Sequence, residues 1–320
     1  MNETLQRVYE IGIIPVIAIE DAAQAVPLAR ALVAGGLPAA EITFRTAAAE
    51  DAIRAIVKEV PEMLVGAGTV LTCDQADRAM AAGATFIVAP GYDPHVTQHV
   101  IDKGGIMMPG TASAGEMQQA MNQGCDTLKF FPAEANGGVA MLKNIGAALK
   151  SAKWMCTGGV SAKNVNDYLG YDQIVAVGGT WMCKSDLIKA EKWDEITAMC
   201  KEAVRTMLGF ELAHVGVNCE NEAEAEQTAK TLCALFGLDY KAGNSSIFAG
   251  KAVECMKKPG RGKNGHIAIA TNSVDRAVYH LGRQGVEFLE DSRVLDAKGK
   301  TKAIYLKNEL SGFAIHLVQK

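Results

Sequence analysis

Between residues 13 and 177, short apolar runs alternate with alanine-rich, helix-like stretches, and this alternation limits the folds open to the chain more than any other feature. The runs are Ile13–Ile19, Ala39–Thr43, Leu64–Ala67, Thr85–Ala89, Ile106–Met108, Thr127–Phe131, Trp154–Cys156 and Ile174–Val177. Helical patterning fills the gaps, as in Asp21–Ala34, Ala47–Val60, Cys73–Ala82 and Ser113–Gln123. Several of these segments stop at glycine, in Ala34-Gly35-Gly36, Ala82-Gly83 and Gln123-Gly124, which suits a helix C-terminus. Strand and helix alternating about eight times in roughly 200 residues point to a parallel (β/α)8 barrel, of the TIM type. A doubly wound open sheet is the alternative. Gly66-Ala67-Gly68-Thr69 has two glycines but lacks the third of a dinucleotide fingerprint.

The texture changes near Gly209, after a helix over Lys192–Leu208. A strand at His214–Val217 is followed by a helix from Glu220 to Phe236 and short strands at Ser246–Phe248 and Ala252–Met256. Pro259-Gly260-Arg261-Gly262 reads as a linker. A second round begins at His266–Ile269, with a helix over Val274–Gln284 and strands at Ala303–Leu306 and Phe313–Val318. The expectation is a barrel over residues 1–209 and a smaller α+β domain of two βαβββ modules over 210–320. A chain of 320 residues suits two cores. Its net charge of −4, without a basic block, argues against a nucleic-acid surface. No segment resembles a membrane span or a secretory signal, and the eight scattered cysteines contain no C-x-x-C pair. Reduced thiols and a cytoplasmic location are expected.

Lys129 lies in Leu128-Lys129-Phe130-Phe131-Pro132-Ala133, an apolar strand where burial disfavours an ammonium. A lysine amine that has lost its proton is a nucleophile toward carbonyls. The alternative is a lysine that packs its stem and extends its head to water. In Glu41-Ile42-Thr43-Phe44-Arg45, strand alternation puts Glu41, Thr43 and Arg45 on one face. They form either a Glu41–Arg45 ion pair filling a barrel layer, or an acid/base beside an anion clamp at the barrel mouth; the second reading is favoured because Lys129 is also near a strand end. Thr157-Gly158-Gly159 and Val177-Gly178-Gly179-Thr180 close the last two strands, each ahead of a helical segment. Exposed backbone N–H groups and a helix N-terminus there make a phosphate cradle.

Glu41–Thr46, Val65–Val70, Leu128–Gly138 and the Thr157 and Gly179 turns together resemble the 2-keto-3-deoxy-6-phosphogluconate (KDPG) and 4-hydroxy-2-oxoglutarate (KHG) aldolase family, over roughly residues 5–208. The resemblance implies a class I aldolase on a (β/α)8 barrel, trimeric, with no cofactor beyond a covalent lysine Schiff base. It implies that Lys129 is the Schiff-base lysine and Glu41 the general acid/base. Arg45 and Thr69 correspond to the groups that hold the pyruvate carboxylate, and Pro90 and Phe131 to apolar walls. Thr157, Gly158, Gly159, Gly178, Gly179 and Thr180 correspond to the phosphate end, with Thr180 where a serine is common. The implied substrate is a small phosphorylated keto acid. A phosphate-binding barrel that isomerises or only binds its ligand is the rival reading.

Four C-terminal residues fall at equivalent places in the two inferred modules: His214 and His266 at the opening of each first strand, Glu254 and His316 in each closing strand. They could converge on one divalent metal with N and O ligands. The element order, with Gly265–Ala268 and Val253-Glu254, resembles the glyoxalase/vicinal-oxygen-chelate superfamily, and His316 stands where that pattern usually has glutamate. A small-molecule sensor or binding role is the alternative. His280 is expected on a helix and solvated, and His95 and His99 on the surface.

Overall fold

The structure, a computed structural model, describes residues 2–320. It divides into two compact units, one up to Met207 and one over Leu208–Lys320.

The first unit carries nine parallel strand segments: β1 (Ile13–Ile17), β2 (Ala39–Thr43), β3 (Leu64–Gly68), β4 (Phe86–Val88), β5 (Met107–Met108), β6 (Gly110–Thr111), β7 (Leu128–Phe130), β8 (Trp154–Thr157) and β9 (Ile174–Gly179). Its helices are α1 (Glu3–Ile11), α2 (Ala25–Ala34), α3 (Ala49–Glu59), α4 (Cys73–Ala81), α5 (Pro94–Asp102), α6 (Ala114–Asn122), α7 (Gly138–Ala148), α8 (Val165–Leu169), α9 (Ser185–Lys189) and α10 (Trp193–Leu208). The sheet order is β5-β4-β3-β2-β1-β9-β8-β7-β6. Its two ends, β5 and β6, are consecutive in the chain, separated only by Pro109. Proline has no N–H for the ladder, so it splits one strand in two. β5 pairs with β4 and β6 with β7, so this split strand closes the barrel at eight strand positions.

Local sequence accounts for these elements. Gly36, Gly83 and Gly124 adopt φ of 88°, 102° and 96°, the left-handed turn that ends α2, α4 and α6. Ser113 and Glu116 form a reciprocal capping box at the start of α6. The strands are buried on both faces. On α3, Ile53 and Ile56 are buried while Arg54 and Glu59 are exposed, and each isoleucine contributes about 1.5–3 kcal/mol.

The second unit runs β10 (Glu211–Asn218), α11 (Glu222–Phe236), β11 (Tyr240–Ala242), β12 (Ser246–Ala249), β13 (Val253–Met256), β14 (Gly265–Thr271), α12 (Val274–Gly282), β15 (Phe288–Leu295), β16 (Thr301–Leu306) and β17 (Phe313–Gln319). This is βαβββ twice, in one mixed sheet of order β11-β12-β13-β10-β14-β17-β16-β15. Periodicity passes over β11, all three of whose residues are exposed, and β15, whose burial does not alternate. Asn221 and Ser273 cap α11 and α12 in the same way, each accepting from the backbone N–H three residues on. His280 does lie on a helix, but it is buried rather than solvated, at 3% exposure. His95 is exposed, while half-buried His99 is 2.8 Å from Asp77.

Candidate active site

Glu41 is on β2 and Lys129 on β7, 88 residues apart in sequence, and they meet inside the barrel. Lys129 Nζ donates to Glu41 Oε1 at 3.0 Å. Glu41 is fully buried and Lys129 is 5% exposed, so the lysine does not reach out to water. The Phe131 ring centroid is 5.3 Å from the same Nζ. Glu41 therefore takes Lys129 as its partner, not the Arg45 of the barrel-filling ion pair. Thr43 Oγ1 donates to Ile17 O at 3.0 Å and accepts from Arg45 Nε at 3.1 Å, which braces the guanidinium beside the carboxylate's strand.

One cavity of about 350 Å3 is lined by twelve of the barrel residues singled out by the sequence, though not by Thr43. Glu41, Arg45, Thr69, Pro90, Lys129 and Phe131 line one part of it, and Thr157, Gly158, Gly159, Gly178, Gly179 and Thr180 another. Val16 and Val160 complete the wall. Two buried oxygens, Glu41 Oε2 and Thr157 Oγ1, have no hydrogen-bond partner in the protein. Both belong to residues that line the cavity, so they are open to a ligand's polar atoms. Thr69 has φ of 54°, a left-handed conformation that costs a β-branched residue about 1–3 kcal/mol.

The helix-dipole part of the phosphate-cradle expectation fails. α8 begins only at Val165 and α9 only at Ser185, so neither starts at its glycine turn. What the structure shows there is backbone geometry: Gly158 and Gly159 have φ of 100° and 82°, a turn that an L-residue would resist.

Two glycines essential to the site escaped sequence reasoning. Register aligns Val16, Glu41, Gly66 and Phe86 across four neighbouring strands. A Cβ on Gly66 would overlap the Phe86 ring, and one on Gly68 would overlap the Glu41 carboxylate. Gly66-Ala67-Gly68 is thus not a piece of nucleotide fingerprint but two vacancies on the interior face. Gly68→Ala is expected to displace Glu41 and lower kcat by about 10²-fold, with the fold intact by circular dichroism. Unchanged kcat would show that the carboxylate position does not matter to turnover. Gly110, paired with Lys129, is likewise closed to a Cβ by the Pro90 backbone. The signal available in the sequence was parity: Gly66 and Gly68 are two apart and share one face.

Residues 5–199 match the family described as "Aldolase: KDPG and KHG aldolase". The chain belongs to this family. The 2-dehydro-3-deoxy-phosphogluconate aldolase of Treponema pallidum is 41% identical over 203 residues, 63% of this chain and 95% of that protein. The KHG/KDPG aldolase of Escherichia coli K12 is 42% identical over 192 residues, 60% of this chain and 90% of that protein. A solved structure of KDPG aldolase from Legionella pneumophila, with pyruvate captured as a covalent carbinolamine, aligns with a TM-score of 0.61 and 36% identity. It covers 63% of this chain and 98% of that one. These KDPG/KHG aldolase relationships fall on the barrel, where the lysine–carboxylate pair lies.

The second unit brings together its four sequence candidates as well. Glu254 Oε2 is 3.1 Å from His214 Nε2 and 3.0 Å from His266 Nε2, and the two imidazole nitrogens are 3.2 Å apart. A nitrogen of His316 joins those of His214 and His266, all within 4.8 Å of one another. Strand pairing explains the convergence. On antiparallel β10 and β14, His214 pairs with Ala268 and His266 with Gly216. On the outer strands, Glu254 lies beside Gly216 and His316 beside Ala268. Each central histidine thus faces a small residue, and each small residue is flanked by an outer-strand candidate. A Cβ on Gly216 would overlap the His266 ring. His214 is the fourth residue of β10, not its opening one, because the strand starts earlier, at Glu211. Burial raises the Glu254 carboxyl, but hydrogen bonds from His214, His266 and Ser246 outweigh it and hold the group well below the usual carboxylate range. Burial, then the neighbouring His266 and His214, push His316 down to about 4, so its ring is neutral at pH 7. Tyr305, not singled out by the sequence, stacks on the His316 ring at 4.6 Å.

Proposed function

We propose that the barrel is a class I aldolase that cleaves 2-keto-3-deoxy-6-phosphogluconate to pyruvate and glyceraldehyde 3-phosphate, and also cleaves 4-hydroxy-2-oxoglutarate to pyruvate and glyoxylate. The observation that carries this is the buried Lys129–Glu41 contact of 3.0 Å, facing a cavity that also contains a glycine-rich turn. Transfer of the ammonium proton to Glu41 leaves a neutral amine. The amine attacks the substrate C2 ketone, and Glu41 returns its proton to the departing hydroxyl, so that loss of water from the carbinolamine gives an iminium, which serves as the electron sink, and leaves Glu41 a carboxylate again. Glu41, directly or through water, takes the proton of the C4 hydroxyl. The C3–C4 pair moves into the iminium, the aldehyde leaves, and an enamine of pyruvate remains. Protonation at C3 and hydrolysis return the amine and release pyruvate.

Arg45 and Thr69 hold the carboxylate in this scheme, and Pro90 and Phe131 form apolar walls. Thr157, Gly158, Gly159, Gly178, Gly179 and Thr180 take the phosphate; the partnerless Thr157 hydroxyl and the positive-φ glycines support that end. The enzyme acts as a homotrimer in the cytoplasm. Free thiols at all eight cysteines accord with a reducing compartment, and no helix among the described residues is long and apolar enough to cross a membrane. Borohydride reduction in the presence of pyruvate, followed by peptide mapping, tests the reading. Irreversible inactivation with the adduct on Lys129 is expected; no pyruvate-dependent inactivation overturns it and leaves the isomerase or binding-protein alternative.

For residues 210–320 a glyoxalase-like, metal-binding module is the favoured reading, with a small-molecule sensor as its alternative. The observation behind it is the triangle of His214 Nε2, His266 Nε2 and Glu254 Oε2, with edges of 3.0–3.2 Å. Ligands about 2.1 Å from one octahedral ion stand about 3.0 Å apart. Both ring nitrogens of His316 are buried without a partner, which leaves either one open to serve as a further ligand. His214, Glu254, His266 and His316 would hold a divalent transition metal, which when bound supplies a Lewis acid for an oxygen ligand. Ser246 Oγ donates to Glu254 Oε1 at 2.6 Å and orients that carboxylate. Metal analysis is expected to find about one divalent ion per chain, lost in His266→Ala while aldol cleavage persists. A metal-free native protein that also fails to take up added divalent ions overturns this reading.

A further inference from the structure

Glu134 and Tyr168 lie just outside the glycine-rich part of the cavity and line none of it. Three sets of contacts tie them to the turn that does. The segment after β7 extends the ladder beyond β8: Ala133 N–H donates to Thr157 O at 2.8 Å and Glu134 N–H to Gly158 O at 3.0 Å. The Glu134 side chain packs over the turn so closely that a Cβ on Gly159 would come 2.5–2.6 Å from its Cγ and Cβ. Tyr168, 1% exposed on α8, donates its hydroxyl to Glu134 Oε1. Burial, then the Glu134 hydrogen bond, push the Tyr168 phenol up, so the tyrosine remains the donor. From the other side, Asn164 accepts from Ser161 N–H at 2.8 Å and donates to Gly159 O at 3.2 Å.

The turn held in this way contains two consecutive glycines, the residues with most conformational freedom to lose. An anion bound by backbone N–H groups must meet them already converged; a loose turn would spend binding energy on ordering itself. The side chains of Glu134, Tyr168 and Asn164 make their hydrogen bonds to the turn, to Ser161 and to one another, not to Lys129 or Glu41.

We propose that Glu134, Tyr168 and Asn164 are positioning residues that hold the Thr157–Val160 turn in its anion-accepting shape, and so set the preference for phosphorylated over unphosphorylated 2-keto acids. The inference rests on the aldolase reading of the barrel. Because the brace lies at the phosphate end, its loss should penalise only the phosphorylated substrate.

The test compares Tyr168→Phe, Asn164→Ala, Glu134→Ala and Glu134→Gln on two substrates. For Tyr168→Phe, Asn164→Ala and Glu134→Ala, KM for 2-keto-3-deoxy-6-phosphogluconate is expected to rise about tenfold, the scale of one hydrogen bond to a charged group for the Tyr168–Glu134 pair and of two neutral ones for Asn164. KM for 4-hydroxy-2-oxoglutarate and both kcat values should stay within about twofold. Glu134→Gln, which keeps an acceptor for Tyr168, should return near the native KM. Equal losses on both substrates, or no loss on the phosphorylated one, overturn the proposal. Inorganic phosphate binding, measured by calorimetry on the full chain, separates this from the aldolase reading because it needs no catalysis. Weaker phosphate binding in the three disruptive variants supports the brace, and unchanged binding refutes it. Absence of pyruvate trapping in the native protein counts against the aldolase alone. Asn164→Ala removes only a half-buried side chain from a turn whose Ala162 and Lys163 are exposed, so the test stands even if a buried Tyr168 variant fails to fold.

Discussion

Lys129→Met loses both turnover and pyruvate-dependent borohydride trapping. The expected fall in kcat exceeds about 10⁵-fold, the order seen when a covalent nucleophile is removed from groups that act as a unit. Methionine fills the same volume but has no amine, so no iminium forms and nothing accepts the electrons of the C3–C4 bond. The substitution also strands the Glu41 carboxylate, which is fully buried and loses the ammonium it pairs with. Leaving one member of a buried pair ionised costs about 3–5 kcal/mol, so the melting temperature falls or the carboxyl takes up a proton. Adding Glu41→Gln should recover stability without recovering turnover. Trapping that survives in Lys129→Met would place the nucleophile at another lysine.

In Glu41→Gln alone, trapping persists while cleavage slows by about 10²–10⁴-fold, the usual contribution of an acid/base group. The amide keeps the shape and can still accept from Lys129 Nζ, but it cannot take the C4 hydroxyl proton. Binding and chemistry therefore separate: pyruvate forms its adduct and the retro-aldol step stalls. Single-turnover kinetics on the phosphorylated substrate would show the iminium forming more slowly, because the amide cannot take the ammonium proton either, and aldehyde release slower still. Undiminished cleavage would assign the proton transfer to another group. Gly68→Ala should give a milder form of the same defect, because it moves the carboxylate without neutralising it.

Much of the barrel was legible in the sequence because its periodicities are local. Apolar runs, alanine-rich helices and terminal glycines each report on a few consecutive residues. Strand parity likewise put Glu41, Thr43 and Arg45 on one face before any coordinates, and the resemblance in the motifs pointed to the partners across the barrel. Where the sequence misled, the deciding interaction was distant or hidden. The glycine turns after β8 and β9 looked like helix starts, yet α8 and α9 begin further on, and Gly158 and Gly159 take up left-handed backbone instead. His280 looked like a solvated helix position, yet packing buries it. β11 escaped because its side chains are exposed and carry no alternation to read.

The sequence by itself determined the succession of elements, the change of texture near Gly209 and the identity of the chemically capable side chains, since all three follow from short-range pattern. Tertiary structure alone decided which of those side chains meet. Lys129 reaches Glu41 because closure through the strand split at Pro109 brings β7 and β2 around one interior, and because Gly68 leaves room for the carboxylate. His214, Glu254, His266 and His316 converge because the β10–β14 register sets each central histidine opposite a residue too small to block it. Strand register and vacant Cβ positions are relations between segments distant in sequence, and packing two backbones together is what creates them.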